Sequence, residues 1–256
     1  GGIALGDGTF FGGIAEGEPL NRFYGYVATG IIETEEQAAN ANYDALSRLP
    51  QKGAKRVGDY EWADRNGDGQ ITTADQFCLG VTVPPFTGGL QNSFRLKNWT
   101  LSLYLDWATG HSIFDESYSR YFYGTFTNNY ALAKDVLKAW KKPGDKTKYA
   151  KFYANDSNWG NDNYNRSPTN TFTYKGDYLC LREITLQYSL PSKLFTKVGL
   201  KGVTLTVSGN NLCYLTEVKG ISPETGASTT YEGSGDNAYY NYPPIRRFSF
   251  GVRLIF

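Results

Sequence analysis

The sequence predicts an all-β fold, part of a large antiparallel transmembrane β-barrel whose long extracellular loops carry short helices. Three observations predict it. Several segments alternate apolar and polar side chains with period two, as strands between two unlike environments do. Aromatic residues reach 16%, with 20 Tyr and 15 Phe, while 29 Gly interrupt the apolar runs. The connections alternate between short and long, the habit of outer-membrane barrels with tight periplasmic turns and extended outer loops.

Residues 1–85 read as an extracellular loop region. Within it, "ETEEQAANANYDALSRL" has helical composition, with acidic residues early and Arg48 late, as the helix dipole favours. "DRNGDGQITTAD" then places Asp64, Asn66 and Asp68 at positions 1, 3 and 5, Gly69 at 6, Gln70 at 7, Thr72 at 9 and Asp75 at 12. Calcium takes about six to eight hard oxygens, and this spacing curls alternating side chains around one point while Gly69 permits the sharp turn. Gln70 would offer its carbonyl, Thr72 would act directly or through water, and Ile71 would be buried behind the loop. Asp75 stands where a calcium-binding helix–loop–helix has the longer Glu, which predicts weaker binding. The expected metal is a structural Ca2+; an Asx-rich turn without metal is the competing reading.

Residues 86–256 read as the C-terminal barrel strands. "FTGGLQNSFRLK" sets Phe86, Leu90, Phe94 and Leu96 against Thr87, Gln91, Ser93 and Arg95. A tight turn leads into "NWTLSLYLDWATG", where Trp99, Leu101, Leu103, Leu105 and Trp107 share one face. Tryptophans bracket that face at a spacing that suits a tilted strand crossing a bilayer. An extracellular loop over 110–176 follows, with a second helix candidate at "ALAKDVLKAW". "YLCLREITLQYSLP" sets Ile184, Leu186, Tyr188 and Leu190 on one face, and "GVTLTVSGNNL" sets Val203, Leu205 and Val207. After a second extracellular loop, 214–243, the last strand aligns Phe248, Phe250, Val252, Leu254 and Phe256 opposite Arg247, Ser249, Gly251 and Arg253. Counting back from it places the C-terminus on the periplasmic side.

Other chemistry is sparse. A formal charge of +1 without a basic cluster that could track phosphates excludes a nucleic-acid partner. His111 is the only histidine and reads as a surface-loop residue, and no carboxylate pair announces itself, so no enzyme is expected. Cys78, Cys180 and Cys213 set up no disulfide framework. Tyr118, Tyr121 and Tyr123, with Trp159 in an Asn/Asp-rich stretch, are candidate contacts to substrate or to a lid protein, loop packing being the alternative.

"FYGYVATGIIETEEQA", "VGDYEWADRNGDGQITTADQF", "DYLCLREITLQYSLPSKLF", "GVTLTVSGNNLCYLT" and "YPPIRRFSFGVRLIF" occur in this order. They resemble the C-terminal third of SusC-like (SusC/RagA) TonB-dependent transporters from about Phe23 to Phe256. The resemblance implies a barrel of about 22 strands with a plugged lumen, in the outer membrane of a Bacteroidetes-type Gram-negative bacterium. It implies import of oligosaccharide (glycan) or peptide with a SusD-like surface lipoprotein as lid, and TonB pulling on an N-terminal region. The N-terminal strands, the plug and outer-membrane lipid would complete the structure. A rival expectation from the residues is a secreted, calcium-stabilised β-sandwich that binds carbohydrate.

Overall fold

The computed structural model describes residues 3–5, 11–14, 17, 19, 22–47, 54–115, 118–119, 122, 133–152, 162–164, 169–194, 199–224 and 244–256. Within them the chain is mostly strand with few helices. Ahead of the first long strand come β1 (Ile3–Leu5), β2 (Phe11–Ile14), β3 (Arg22–Gly25), β4 (Ala28–Ile31), β5 (Tyr43–Asp44), β6 (Tyr60–Trp62), β7 (Gln70–Ile71) and β8 (Phe77–Val81). Then follow β9 (Phe86–Leu96), β10 (Trp99–Thr109), β11 (Ser112–Phe114), β12 (Thr173–Lys175), β13 (Tyr178–Ser189), β14 (Gly202–Thr216) and β15 (Arg247–Ile255). The chain divides into two compact units.

One unit holds the five long strands in a single antiparallel sheet, ordered β15-β14-β13-β10-β9. Leu96 pairs with Trp99 across a two-residue turn, in which Lys97 takes a left-handed φ of 53°. Residues directly opposite in an antiparallel ladder point to the same face. One row therefore runs Leu96, Trp99, Tyr188, Leu205, Val252, and the next runs Phe94, Leu101, Leu186, Val207, Phe250. The opposite face carries Arg95, Thr100, Gln187, Thr206 and Gly251, then Ser93, Ser102, Thr185, Ser208 and Ser249. The five alternations expected from sequence thus merge into one apolar and one polar surface.

The apolar surface is bare. Phe250 is 81% exposed, Phe94 58% and Trp99 47%. A water-soluble sandwich would bury these rings under a second sheet, and among the described residues of this unit no second sheet covers them. Trp107 lies over Gly88, where a Cβ would stand 2.3 Å from the indole ring. That close approach gives the glycine its purpose in mid-strand.

The other unit gathers described residues of 1–83 and 112–174. Its strands are short: β1-β2-β3-β8 form one sheet, and β4-β6 and the parallel pair β5-β7 form two more. Its core is aromatic, with Tyr26, Tyr60, Trp62, Phe122, Tyr149, Tyr164 and Phe172 buried together. Phe122 stacks on Tyr149 with centroids 4.7 Å apart, and Phe152 stacks on Tyr164 at 4.6 Å. Two of the buried phenols are satisfied by main-chain oxygens: the Tyr60 hydroxyl donates to Lys148 O and that of Tyr164 to Ala150 O. Asn163 knits the two stretches, donating to Asp59 and Lys151 O and accepting from the Tyr60 N–H. The described residues of 112–174 are therefore packed together.

Both helix expectations need correction. The first helix is only α1 (Glu35–Asn40), capped by a Thr34–Gln37 box, because the chain leaves it at once for β5, where Tyr43 pairs with Gln70. The second is a 3-10 segment, Lys134–Lys138, which starts without a side-chain cap. Unfavourable nucleation makes so short a stretch dependent on packing. His111, expected at a surface, is buried; its Nε2 lies 3.3 Å from Pro223 O and its ring packs edge-on against Tyr178.

Candidate functional site

The Asp64–Asp75 loop makes the sharp turn expected at Gly69. Asp64 accepts the N–H of Gly67 and Gly69 at 2.7 and 2.8 Å, and Asp68 accepts that of Gln70 at 2.8 Å. Gly69 has φ +79°, a conformation that disfavours a side chain. Asn66 donates its side-chain amide to Asp68, and Ile71 is fully buried behind the loop. Asp75 is buried and accepts from Arg65 N, Thr72 N and the Thr72 hydroxyl, closing a capping box on the 3-10 turn Thr73–Asp75. Burial pushes its carboxyl up, but these donors, led by Thr72 and Arg65, more than offset it and hold the pKa below the ordinary value. The loop is a set of carboxylates already held by backbone donors. Among the described residues no group of three or more His, Cys, Asp or Glu gathers as a metal centre.

Of the aromatic contact candidates, Tyr118 lies edge-on against Phe122 and Phe172, 5.3 and 6.1 Å away, so its ring is part of the aromatic packing. Tyr121, Tyr123 and Trp159 lie outside the described residues.

Sequence reading missed a charged cluster on the polar face of the long sheet. Arg182 grips Asp106 with two bonds, Nε to Oδ1 at 2.8 Å and Nη2 to Oδ2 at 2.7 Å. It also donates to Asn211 at 2.9 Å, to the Tyr214 hydroxyl at 3.2 Å, and to Glu224. Arg182 is the extra residue of a bulge, for Tyr104 pairs with Glu183 while the next residue, Leu105, pairs with Leu181. Asn211, at φ 52°, lies in the matching irregularity of β14. The only available signal was the pair of polar residues interrupting "LCLREI".

The arrangement sorts its chemistry by place. One sheet face is fit for hydrocarbon, its reverse is polar with an ion-paired centre, and a loop-rich unit carries the remaining polar groups.

No protein-family model matches the chain. It is similar to TonB-dependent receptor P3 of Formosa agariphila, 29% identical over 95% of this chain and 23% of that protein. It is also similar to TonB-dependent receptor P39 of the same organism, 30% identical over 86% of this chain and 24% of the relative. The chain thus spans about a quarter of the length of the curated relatives it matches. Among solved structures it resembles the RagAB peptide transporter, at a TM-score of 0.62 and 20% identity over 91% of this chain and 23% of that one. It likewise resembles the RagAB peptide importer in its open-open state, at 0.64 and 21% over 99% and 24%.

Proposed function

We propose that this chain, similar to TonB-dependent receptors along 95% of its length, is the C-terminal barrel portion of a SusC-like importer in a Gram-negative outer membrane. The observation that carries the reading is the bare apolar face, in register across all five long strands. Lipid is the medium in which such a face costs nothing, while the reverse side, with Arg182 and Asp106 paired, suits a hydrated lumen. Free sheet edges do not persist in hydrocarbon, so further strands would complete the barrel beyond β9 and β15. In this reading the loops face outward, the C-terminus is periplasmic, and the chain is a conduit with no catalysis of its own. Its partners would be a SusD-like lipoprotein and TonB. The likeness to the RagAB peptide importer favours peptide cargo; glycan is the other class. The protein should fractionate with outer membranes and stay there through alkaline extraction, and its deletion should abolish uptake of the cargo. Recovery in the soluble fraction would replace this reading with the secreted sandwich.

The 64–75 loop would take Ca2+ through Asp64, Asn66, Asp68, the Gln70 carbonyl, Thr72 and Asp75, fixing the loop on its base. Spacing and the glycine turn support this; the existing backbone bonds to Asp75 count toward the metal-free alternative. Chelator should speed protease cutting within the loop, and Asp64→Ala with Asp68→Ala should remove the difference. Equal protection with and without chelator would leave a self-capped turn.

A further inference from the structure

The loop-rich unit contains a cavity of about 420 Å³ that neither the strand reading nor the calcium loop accounts for. It lies between β4, the Asn170–Phe172 turn and the segment leading to Lys148, and is lined by Thr29, Gly30, Ile31, Lys148, Thr173 and Tyr174 among others. Its polar groups are disposed unequally. Asn170 is fully engaged with the β4 backbone, accepting from Ala28 N and donating to Ala28 O. Asp145 also lines the cavity, but its carboxylate accepts the N–H of Lys141 and Lys142 and so caps its own turn. Glu33 is the second acidic residue of the lining.

Lys148 is different. Its ammonium donates to Thr171 O at 3.0 Å and lies 5.2 Å from the ring centroids of both Tyr149 and Tyr174. Among the described residues no carboxylate stands within ion-pair distance of it, so its partners are a carbonyl and two ring faces. Such partners orient a cation without neutralising it. Partial desolvation of this exposed side chain lowers its pKa, an effect that the Asp135 carboxylate offsets in part and Lys138 reinforces. The same segment exposes Lys141, Lys142 and Lys146 beside Lys148, a cationic run in a chain of net charge +1. A run of this sign raises the local concentration of anions.

We propose that this cavity is a subsite for carboxylate groups on an oligomeric cargo, with Lys148 as the charge partner and the flanking lysines as the steering rim. The inference rests on the import reading only for calling the ligand cargo; the binding itself is independent of transport. The carboxylates could belong to a uronic-acid oligosaccharide or to an acidic peptide, and both present the same group to the same ammonium.

The test is calorimetric titration of the detergent-solubilised protein with four probes: trigalacturonate against neutral galactotriose, and triglutamate against triglutamine. One carboxylated probe should bind about tenfold more tightly than its neutral counterpart, the size expected of one charge-assisted bond, and the preference should shrink as salt rises. The probe that wins identifies the source of the carboxylate. Lys148→Gln should abolish the preference and Lys148→Arg should retain most of it. A side chain at Gly30 meets open space, so Gly30→Trp should obstruct the cavity without disturbing packing and weaken the preferred probe about tenfold. Equal binding of charged and neutral probes would overturn the proposal, and so would a preference that survives both Lys148→Gln and Gly30→Trp. Either result would leave the membrane assignment untouched, since fractionation measures that separately.

Discussion

In the proposed barrel, Leu103→Arg should cost about 2–4 kcal/mol, whereas arginine at the adjacent Ser102 should be nearly neutral. Leu103 sits midway along β10, opposite Asn92 on one side and Ile184 on the other, with Gly209 and Phe248 beyond in the same row. An arginine there must drag its charge to an interface or thin the bilayer. Ser102 lies in the row of Ser93, Thr185, Ser208 and Ser249, where a guanidinium meets hydroxyls and water. Urea titration of the folded fraction in lipid vesicles, followed by mobility on unheated gels, reads both variants. Equal penalties at 102 and 103 would refute the assignment of faces.

Arg182→Met should destabilise by about 3 kcal/mol, the lower end of the range for breaking a buried pair. The lower end applies because the Arg182 side chain is 25% exposed and that of Asp106 16%. The loss follows from what remains: Asp106 and Glu224 would face each other with no cation between them, and Asn211 and Tyr214 would lose a donor. Adding Asp106→Asn should restore part of the stability, because the second change removes one stranded charge. A cost below about 1 kcal/mol for Arg182→Met would mean that the cluster behaves as a solvated surface pair.

The long strands were legible because each repeats its alternation several times and each is bounded by turn residues; β9, β10 and β15 begin where the pattern begins. The short strands of residues 1–83 were not, since three or four residues hold too little alternation to stand out from a loop. The helix over "ETEEQAANANYDALSRL" was over-read because composition carries no information about Tyr43 pairing with Gln70. The Asp64–Asp75 loop shows both sides of this. Its turn, its glycine and the burial of Ile71 follow from local spacing, while the engagement of Asp75 with Arg65 and Thr72 depends on geometry that spacing leaves open. Lys148 was invisible for a similar reason: its distinction lies in the rings beside it, and neither Tyr174 nor the Thr171 carbonyl is near it in sequence.

The bulge at Arg182 also explains why alternation in β13 could be followed only part of the way. Beyond it the apolar positions change parity, from Ile184, Leu186 and Tyr188 to Leu181 and Leu179, yet all five stay in the same rows as their neighbours on β10. The bulge therefore absorbs one extra residue without changing the face that either half of β13 presents. Deleting Arg182 would leave Leu181 opposite Leu105 and Leu179 opposite Trp107 and remove only the charge, whereas forcing Arg182 into the regular ladder would turn Leu179 and Leu181 to the polar face and Tyr178 and Cys180 to the apolar one. Loss of residue 182 should accordingly preserve the facing of β13, whereas loss of one residue elsewhere in the strand should reverse it unless a compensating length change lies nearby.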